Sequence, residues 1–156
     1  MKKIFLILVF LSGILLADES FELFKKDCDK GNVTNCVQVG SLYYAGKGVK
    51  QDYFKSFKYF TEACAKEDAT SCFYLGTLYA NGQGVERDYL KAFEYYKKIC
   101  DEGYAGGCIG LGHLYSSGEG VKQDKHTAKK YFGKACDALR EKYICDLYKQ
   151  LNEQGY

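Results

Sequence analysis

The sequence predicts an all-α solenoid of 36-residue helix-turn-helix repeats stapled by disulfides. Three observations carry that prediction. Eight cysteines, Cys28, Cys36, Cys64, Cys72, Cys100, Cys108, Cys136 and Cys145, follow one another at intervals of 8, 28, 8, 28, 8, 28 and 9. The loop residues keep the same period: Gly46, Gly82 and Gly118 lie 36 apart, as do Gly48, Gly84 and Gly120 and the valines Val49, Val85 and Val121. Within each period the apolar residues recur at helical spacing. A fixed period between about 20 and 50 residues marks stacked supersecondary units, each leaning on its neighbours.

The first 17 residues stand apart from this pattern. Lys2 and Lys3 precede an apolar run from Ile4 to Leu16, and Ala17 offers a small residue for cleavage. That is the pattern of a secretory leader over residues 1–17; the run falls short of the roughly 20 residues a membrane-spanning helix needs. Loss of Lys2 and Lys3 removes the whole excess of the 22 basic over the 20 acidic residues. A chain of balanced charge argues against nucleic acid and against an anionic membrane surface as partners. Export places the cysteines in an oxidising compartment, where an even number reads as a disulfide framework. The expectation is a secreted or periplasmic monomer, free of the membrane once the leader is gone.

The remaining residues, 18–156, read as a single solenoid domain. Residues 19–30, containing ESFELFKKDC, have the character of a second repeat helix without its first, and serve as an N-terminal cap helix. Three repeats follow at about 35–66, 71–102 and 107–138. Each opens with a first segment, CVQVGSLYYAGKG, CFYLGTLYANGQG or CIGLGHLYSSGEG. Counted from the cysteine, its shared apolar or small residues fall at 0, +3, +4, +6 and +7: Cys36, Val39, Gly40, Leu42 and Tyr43 in the first copy. These cluster on one side of a helical wheel. The glycine at +4 costs an isolated helix about 1 kcal/mol, so its return at one phase implies close approach of a neighbour. The G-x-G-V stretch ends the helix through a left-handed glycine cap.

The second segment opens at Asp52, Asp88 or Asp124, residues able to accept hydrogen bonds from a first helical turn. Phe57, Phe60 and Ala63 continue an apolar stripe, as do Phe93, Tyr96 and Ile99; the third copy places Lys129 where the others have phenylalanine, which predicts a wetter face. Tyr43, Tyr79 and Tyr115 share one phase, and Tyr59, Tyr95 and Tyr131 another, so both sets are expected to pack between helices. Residues 143–156 read as a terminal first helix with polar substitutions, a C-terminal cap.

Eight cysteines allow about a hundred pairings. Two cysteines eight apart in one helix would be about 12 Å apart along its axis, whereas a disulfide needs Cα atoms about 4.4 to 6.8 Å apart. Local pairing therefore requires the chain to reverse between them, and segments such as AKEDATS and DEGYAGG can do that. Repeat symmetry favours Cys28–Cys36, Cys64–Cys72, Cys100–Cys108 and Cys136–Cys145. Zinc sites favour spacings of about two to four residues, and neither His113 nor His126 stands at ligand spacing from a cysteine. No metal and no cofactor are expected.

Together, C-x2-[VL]-G-x-L-Y-x2-G-x-G-V and D-x6-Y-[FY]-x3-C resemble the cysteine-rich Sel-like repeat proteins of the Hcp type, bacterial relatives of the tetratricopeptide repeat. The resemblance spans residues 19–156. It implies a right-handed superhelix of disulfide-stapled helix pairs with a concave groove, and a role in binding cell-wall fragments or host factors. For some members it also implies penicillin binding with weak β-lactamase activity. The longer Cys136–Cys145 spacing departs from the pattern. No serine is followed by a lysine three residues on, K-T-G is absent, and neither histidine belongs to a metal-binding pair, so hydrolysis rests on resemblance alone.

Positions +2, +5 and +9 of the first helices lie opposite the shared face and vary between copies. They supply the expected ligand-binding residues Gln38, Ser41, Tyr74, Thr77, Asn81, His113 and Ser117, a mixture of one aromatic with small polar groups suited to peptide or sugar. The expected function is a binding module for a peptide, a protein or a peptidoglycan fragment. A β-lactamase-like penicillin-binding protein, acting on β-lactams, is the alternative.

Overall fold

A computed structural model describes residues 20–156. The leader expected over residues 1–17 lies outside the described residues. Packing divides the chain into two compact units, Met1–Asp68 and Ala69–Tyr156. Among the described residues all regular structure is helical. The first unit contains α1 (20–29), α2 (Val33–Ala45) and α3 (Tyr53–Cys64). The second contains α4 (Ala69–Asn81), α5 (Tyr89–Asp101), α6 (Ala105–Ser117), α7 (Lys125–Leu139) and α8 (Lys142–Glu153). Within it each helix packs on the next, and α4 also touches α6.

The punctuation follows the repeated residues. Asp52, Asp88 and Asp124 are the N-caps of α3, α5 and α7, accepting from the amides of Lys55, of Leu90 and Lys91, and of Thr127. Gly46 and Gly118 close α2 and α6 in the left-handed conformation, and Gly82 adopts it after α4. Each loop is then tied back by one hydrogen bond: the amides of Asp52, Asp88 and Asp124 donate to the carbonyls of Tyr43, Tyr79 and Tyr115 at 2.9–3.0 Å.

The glycine at +4 is a socket for an aromatic ring. A β-carbon on Gly40 would lie 2.9 Å from Phe60, on Gly76 2.5 Å from Tyr96, and on Gly112 2.6 Å from Phe132. The rings that fill these sockets are buried, and each contributes about 1.5–3 kcal/mol by leaving water. Beside each socket a tyrosine of the first helix stacks on one of the second. The pairs Tyr43–Tyr59, Tyr79–Tyr95 and Tyr115–Tyr131 have centroids 5.9, 5.9 and 5.7 Å apart and planes within 14°. Lys55 and Lys91 place their ammonium groups 5.1 Å from the rings of Tyr43 and Tyr79.

The cysteines join helices across short reversals. Cys28–Cys36, Cys100–Cys108 and Cys136–Cys145 are disulfides with Cα atoms 4.7, 4.8 and 4.8 Å apart. Cys64 and Cys72 are disulfide-bonded as well, and no cysteine is free. In Cys28–Cys36, Cys100–Cys108 and Cys136–Cys145 the reversal carries one left-handed residue, Gly31, Gly103 or Arg140. Gly31 and Gly103 come three residues after a cysteine, Arg140 four. The extra residue of the last spacing is absorbed there, where the Arg140 amide donates to the Cys136 carbonyl.

The expected wet face of the third repeat takes a specific form. In the second unit Phe93 of α5 meets Tyr115 of α6 edge to face, and in the first unit Phe21 of α1 meets Tyr43 in the same way. At the α7–α8 junction this aromatic pair is replaced by Lys129, whose ammonium donates to Asn152 Oδ1 and to the main-chain oxygen of Tyr156.

Candidate ligand-binding site

The first helix of each repeat turns its socket face to the second, leaving positions +2, +5 and +9 for the other side. The structure treats these positions unequally. In the first unit Gln38 is exposed and Ser41 half-buried on α2. In the second unit Tyr74 is half-buried edge-on to Phe73. Thr77 is committed to the fold: its Oγ1 donates to the Phe73 carbonyl and lies 3.2 Å from the Tyr96 hydroxyl. Asn81 is exposed and donates to Gln83 Oε1. Ser117 is exposed and bonds the His113 carbonyl and Glu119. At +2 in α6, Gly110 is buried, because the ring of Tyr96 occupies the space above it.

His113 is where the row becomes a cavity. Its ring stands edge to face on Phe132, with centroids 5.1 Å apart. Loss of water around the ring lowers its pKa below the ordinary imidazole value, which favours the neutral form. A cleft of ≈ 200 Å³ opens beside it. Phe132, Leu147 and Leu151 give this cleft an apolar floor; His113, Ser116, Gln150, Gln154 and Lys125 bring polar groups to its walls. Among the described residues, the side chains of Ser116, Gln150 and Gln154 make no hydrogen bond to another residue. Gln150 and Gln154 are exposed, so their amides are free to exchange water for a ligand, and apolar side chains with a few convergent polar groups are the general form of a ligand site.

Leu147, Gln150 and Gln154 were not anticipated as site residues. Counted from Cys145, they stand at +2, +5 and +9, the positions that define the row elsewhere. The signal was present in the sequence. It was hidden because residues 143–156 read as a cap, and because the last cysteine pair is one residue longer than the others.

Other clefts among the described residues lie within single repeats, one of ≈ 350 Å³ beside Tyr79 and Tyr95. Two of ≈ 520 and ≈ 500 Å³ lie at the loops before α3 and α7, lined by Tyr43 and Asp52 in one and Tyr115 and Asp124 in the other. Several of their polar groups serve the fold: Gln51 and Gln123 donate to the carbonyls of Tyr44 and Ser116, and the aspartates cap helices. Cys28, Cys36 and Glu62 bring three ligand-type atoms within 4.8 Å. The two sulfurs are bonded to each other, so they offer no thiolate to a metal.

The Sel1 repeat family matches this chain over residues 36–68, 69–104 and 105–138, an unbroken run of three repeats. The chain belongs to the Sel1 repeat family. Repeats of this family generally mediate protein–protein interaction. Solved structures place the Sel1 fold beyond doubt. A protective antigen present in uropathogenic Escherichia coli strains, displaying an SLR fold, superposes with a TM-score of 0.79 at 24% identity, over 86% of this chain and 28% of that one. A Sel1 repeat protein from Oxalobacter formigenes gives 0.72 at 29% identity, over 79% and 50%. Helicobacter pylori cysteine rich protein B gives 0.62 at 27% identity, over 84% and 93%. The chain thus spans about a quarter of the first and half of the second. No curated protein sequence matches it.

Proposed function

We propose that this Sel1 repeat chain is an exported binding module that holds a peptide or protein segment on the row formed by α4, α6 and α8. The observation that carries the reading is the His113 cleft, where row positions of α6 and α8 meet over an apolar floor with polar side chains left without protein partners. Tyr74 and Asn81 extend the same row along α4. The disulfides support export, since such bonds persist in oxidising compartments. No helix among the described residues is long and apolar enough to cross a membrane.

The test is a titration of the full oxidised chain, followed by amide chemical shifts, with peptide pools and with soluble peptidoglycan fragments. Shifts centred on Tyr74, His113 and Gln150 with a peptide pool support the reading. Shifts there with peptidoglycan fragments alone would replace the peptide by a cell-wall ligand. Turnover of a chromogenic cephalosporin by protein free of contaminating β-lactamase would overturn the reading in favour of the enzymatic alternative.

A further inference from the structure

The last of the four staples differs from the rest in reach. The other six cysteines are 0–8% exposed, whereas Cys136 and Cys145 are both half-buried. A disulfide is cleaved by a thiolate that attacks one of its sulfurs, so access decides which bond meets a reductant first. The buried pairs come within range only when the helices around them open. Cys136–Cys145 needs no such opening.

Its place in the fold gives that access a consequence. Cys136 lies in α7 and Cys145 in α8, and both helices line the His113 cleft. Apart from the disulfide, α8 is held lightly. It buries Ile144 and Leu151, where α4 buries six residues and α6 seven. Its N-cap, Glu141, makes no side-chain capping hydrogen bond. At its far end Lys129 donates to Asn152 and to the main-chain oxygen of Tyr156. The reversal before α8 turns on Arg140 at φ 55°, where Cys28–Cys36 and Cys100–Cys108 have Gly31 and Gly103. A residue with a β-carbon is strained in that left-handed region. Cutting the bond therefore leaves a reversal that its own backbone disfavours. It also leaves a helix of 12 residues, a length that is marginal in water by itself.

We propose that Cys136–Cys145 is a thiol-exchange site for a dithiol reductant, of the kind carried by an exported thiol–disulfide oxidoreductase, and that its opening releases α8 and dismantles the His113 cleft. In the first step a thiolate of the reductant bonds to Sγ of one cysteine, and the other cysteine leaves as a thiolate. In the second, the reductant's remaining thiol displaces the bound cysteine and closes into its own disulfide. Two electrons pass from reductant to protein, and the two protons lost by the dithiol end on Cys136 and Cys145. Release of α8 takes Leu147, Gln150, Leu151 and Gln154 out of the cleft and opens Phe132 to water. Reoxidation rebuilds it. That this switches binding rests on the binding-module reading above; the exchange site itself does not.

The test exposes the full oxidised chain to rising dithiothreitol. Samples are alkylated at each step and mass-mapped, and amide chemical shifts are recorded in parallel. Cys136 and Cys145 should be the first pair alkylated. At that stage the amides of Leu147, Gln150 and Leu151 should move to random-coil positions, while those of Leu78, Tyr96 and Leu111 keep their native ones. A double variant, Cys136→Ser with Cys145→Ser, should show the same α8 shifts with no reductant present. Earlier or simultaneous alkylation of any other pair overturns the exchange site. Native α8 shifts after alkylation of Cys136 and Cys145, or in the double variant, overturn the release of α8. Loss of native shifts throughout the double variant does so too, because α8 is then inseparable from the rest. No readout uses a ligand, so a failed peptide titration leaves these results standing, and their failure leaves the binding reading standing.

Discussion

The ring of Tyr96 fills the space that a β-carbon on Gly76 would need: the added atom would lie 2.5 Å from Cε1 of the ring. The ring cannot retreat, because on its other side a β-carbon at Gly110 would come equally close to Cδ2. Alanine normally favours a helix over glycine by about 1 kcal/mol. Here the overlap opposes that gain, and overpacking costs about 1–3 kcal/mol. Gly76→Ala is expected to lower the urea midpoint of unfolding, and a Tyr96→Leu partner substitution should relieve part of the loss. A stabilised Gly76→Ala protein would show that the socket has slack.

Reduction should unfold the protein or bring it close to unfolding. A staple closing eight or nine residues is worth about 2.5 kcal/mol in the chain-entropy model, and the whole stability of a small domain is about 5–15 kcal/mol. Melting followed by far-ultraviolet circular dichroism should therefore shift strongly downward in excess reductant. Replacing both Cys100 and Cys108 by serine should cost about one staple. An unchanged melting temperature after complete thiol trapping would show that packing alone sustains the repeats.

Along the binding row, stability and ligand capture should separate residue by residue. Asn81→Ala, at an exposed site, should change stability by no more than about 0.5 kcal/mol. Thr77→Val breaks the link to the Tyr96 hydroxyl and should cost about 1 kcal/mol. Gln150→Ala should leave melting intact and weaken a bound peptide. If Thr77→Val melts like wild type, the hydroxyl contact carries no weight.

Acidification should erode stability in two stages. His113 in the folded chain resists protonation because packing against Phe132 strips part of the water from its otherwise exposed ring, whereas a free histidine takes its proton near pH 6.5. Below that value the unfolded chain binds the proton and the folded chain does not, so stability falls as the pH drops from there toward the folded pKa. His113→Gln should flatten this stretch of a denaturation-midpoint profile; identical slopes would place the imidazole in water. At lower pH the caps fail. The Lys55 amide holds the Asp52 carboxyl below its ordinary value, and the Thr127 hydroxyl and amide do so for Asp124. Their contribution is present above the ordinary carboxylate pKa and is lost as the pH falls through the folded one.

Residues that act on their own local backbone could be read directly. Asp88 caps α5 and Gly118 closes α6 because each answers to the few atoms beside it. The cysteines could be read because two residues in a short reversal have little choice of partner. Gly40, Gly76 and Gly112 announced a close approach, but not that the visitor was an aromatic ring from the second helix rather than a backbone. Counting from the cysteine assigns a helix face but not its openness: Thr77 is drawn into the fold by Tyr96, and Gly110 is buried because the same ring leans over it. Which row position is open depends on the size of a side chain on another helix, and helical spacing is blind to that. The cleft is hidden from the sequence for a related reason: it needs α6, α7 and α8 together, and the sequence of α8 reads as a cap.

The chain has 15 tyrosines and no tryptophan, and the stacked pairs Tyr43–Tyr59, Tyr79–Tyr95 and Tyr115–Tyr131 place one matched couple in every repeat. Each repeat therefore carries its own optical label in nearly the same geometry. Near-ultraviolet dichroism of this protein reads these three pairs with the nine other tyrosines and the disulfides, without an indole to mask them. The difference spectrum of a Tyr→Phe exchange in one couple isolates that couple, so the melting of its repeat can be followed with no dye attached.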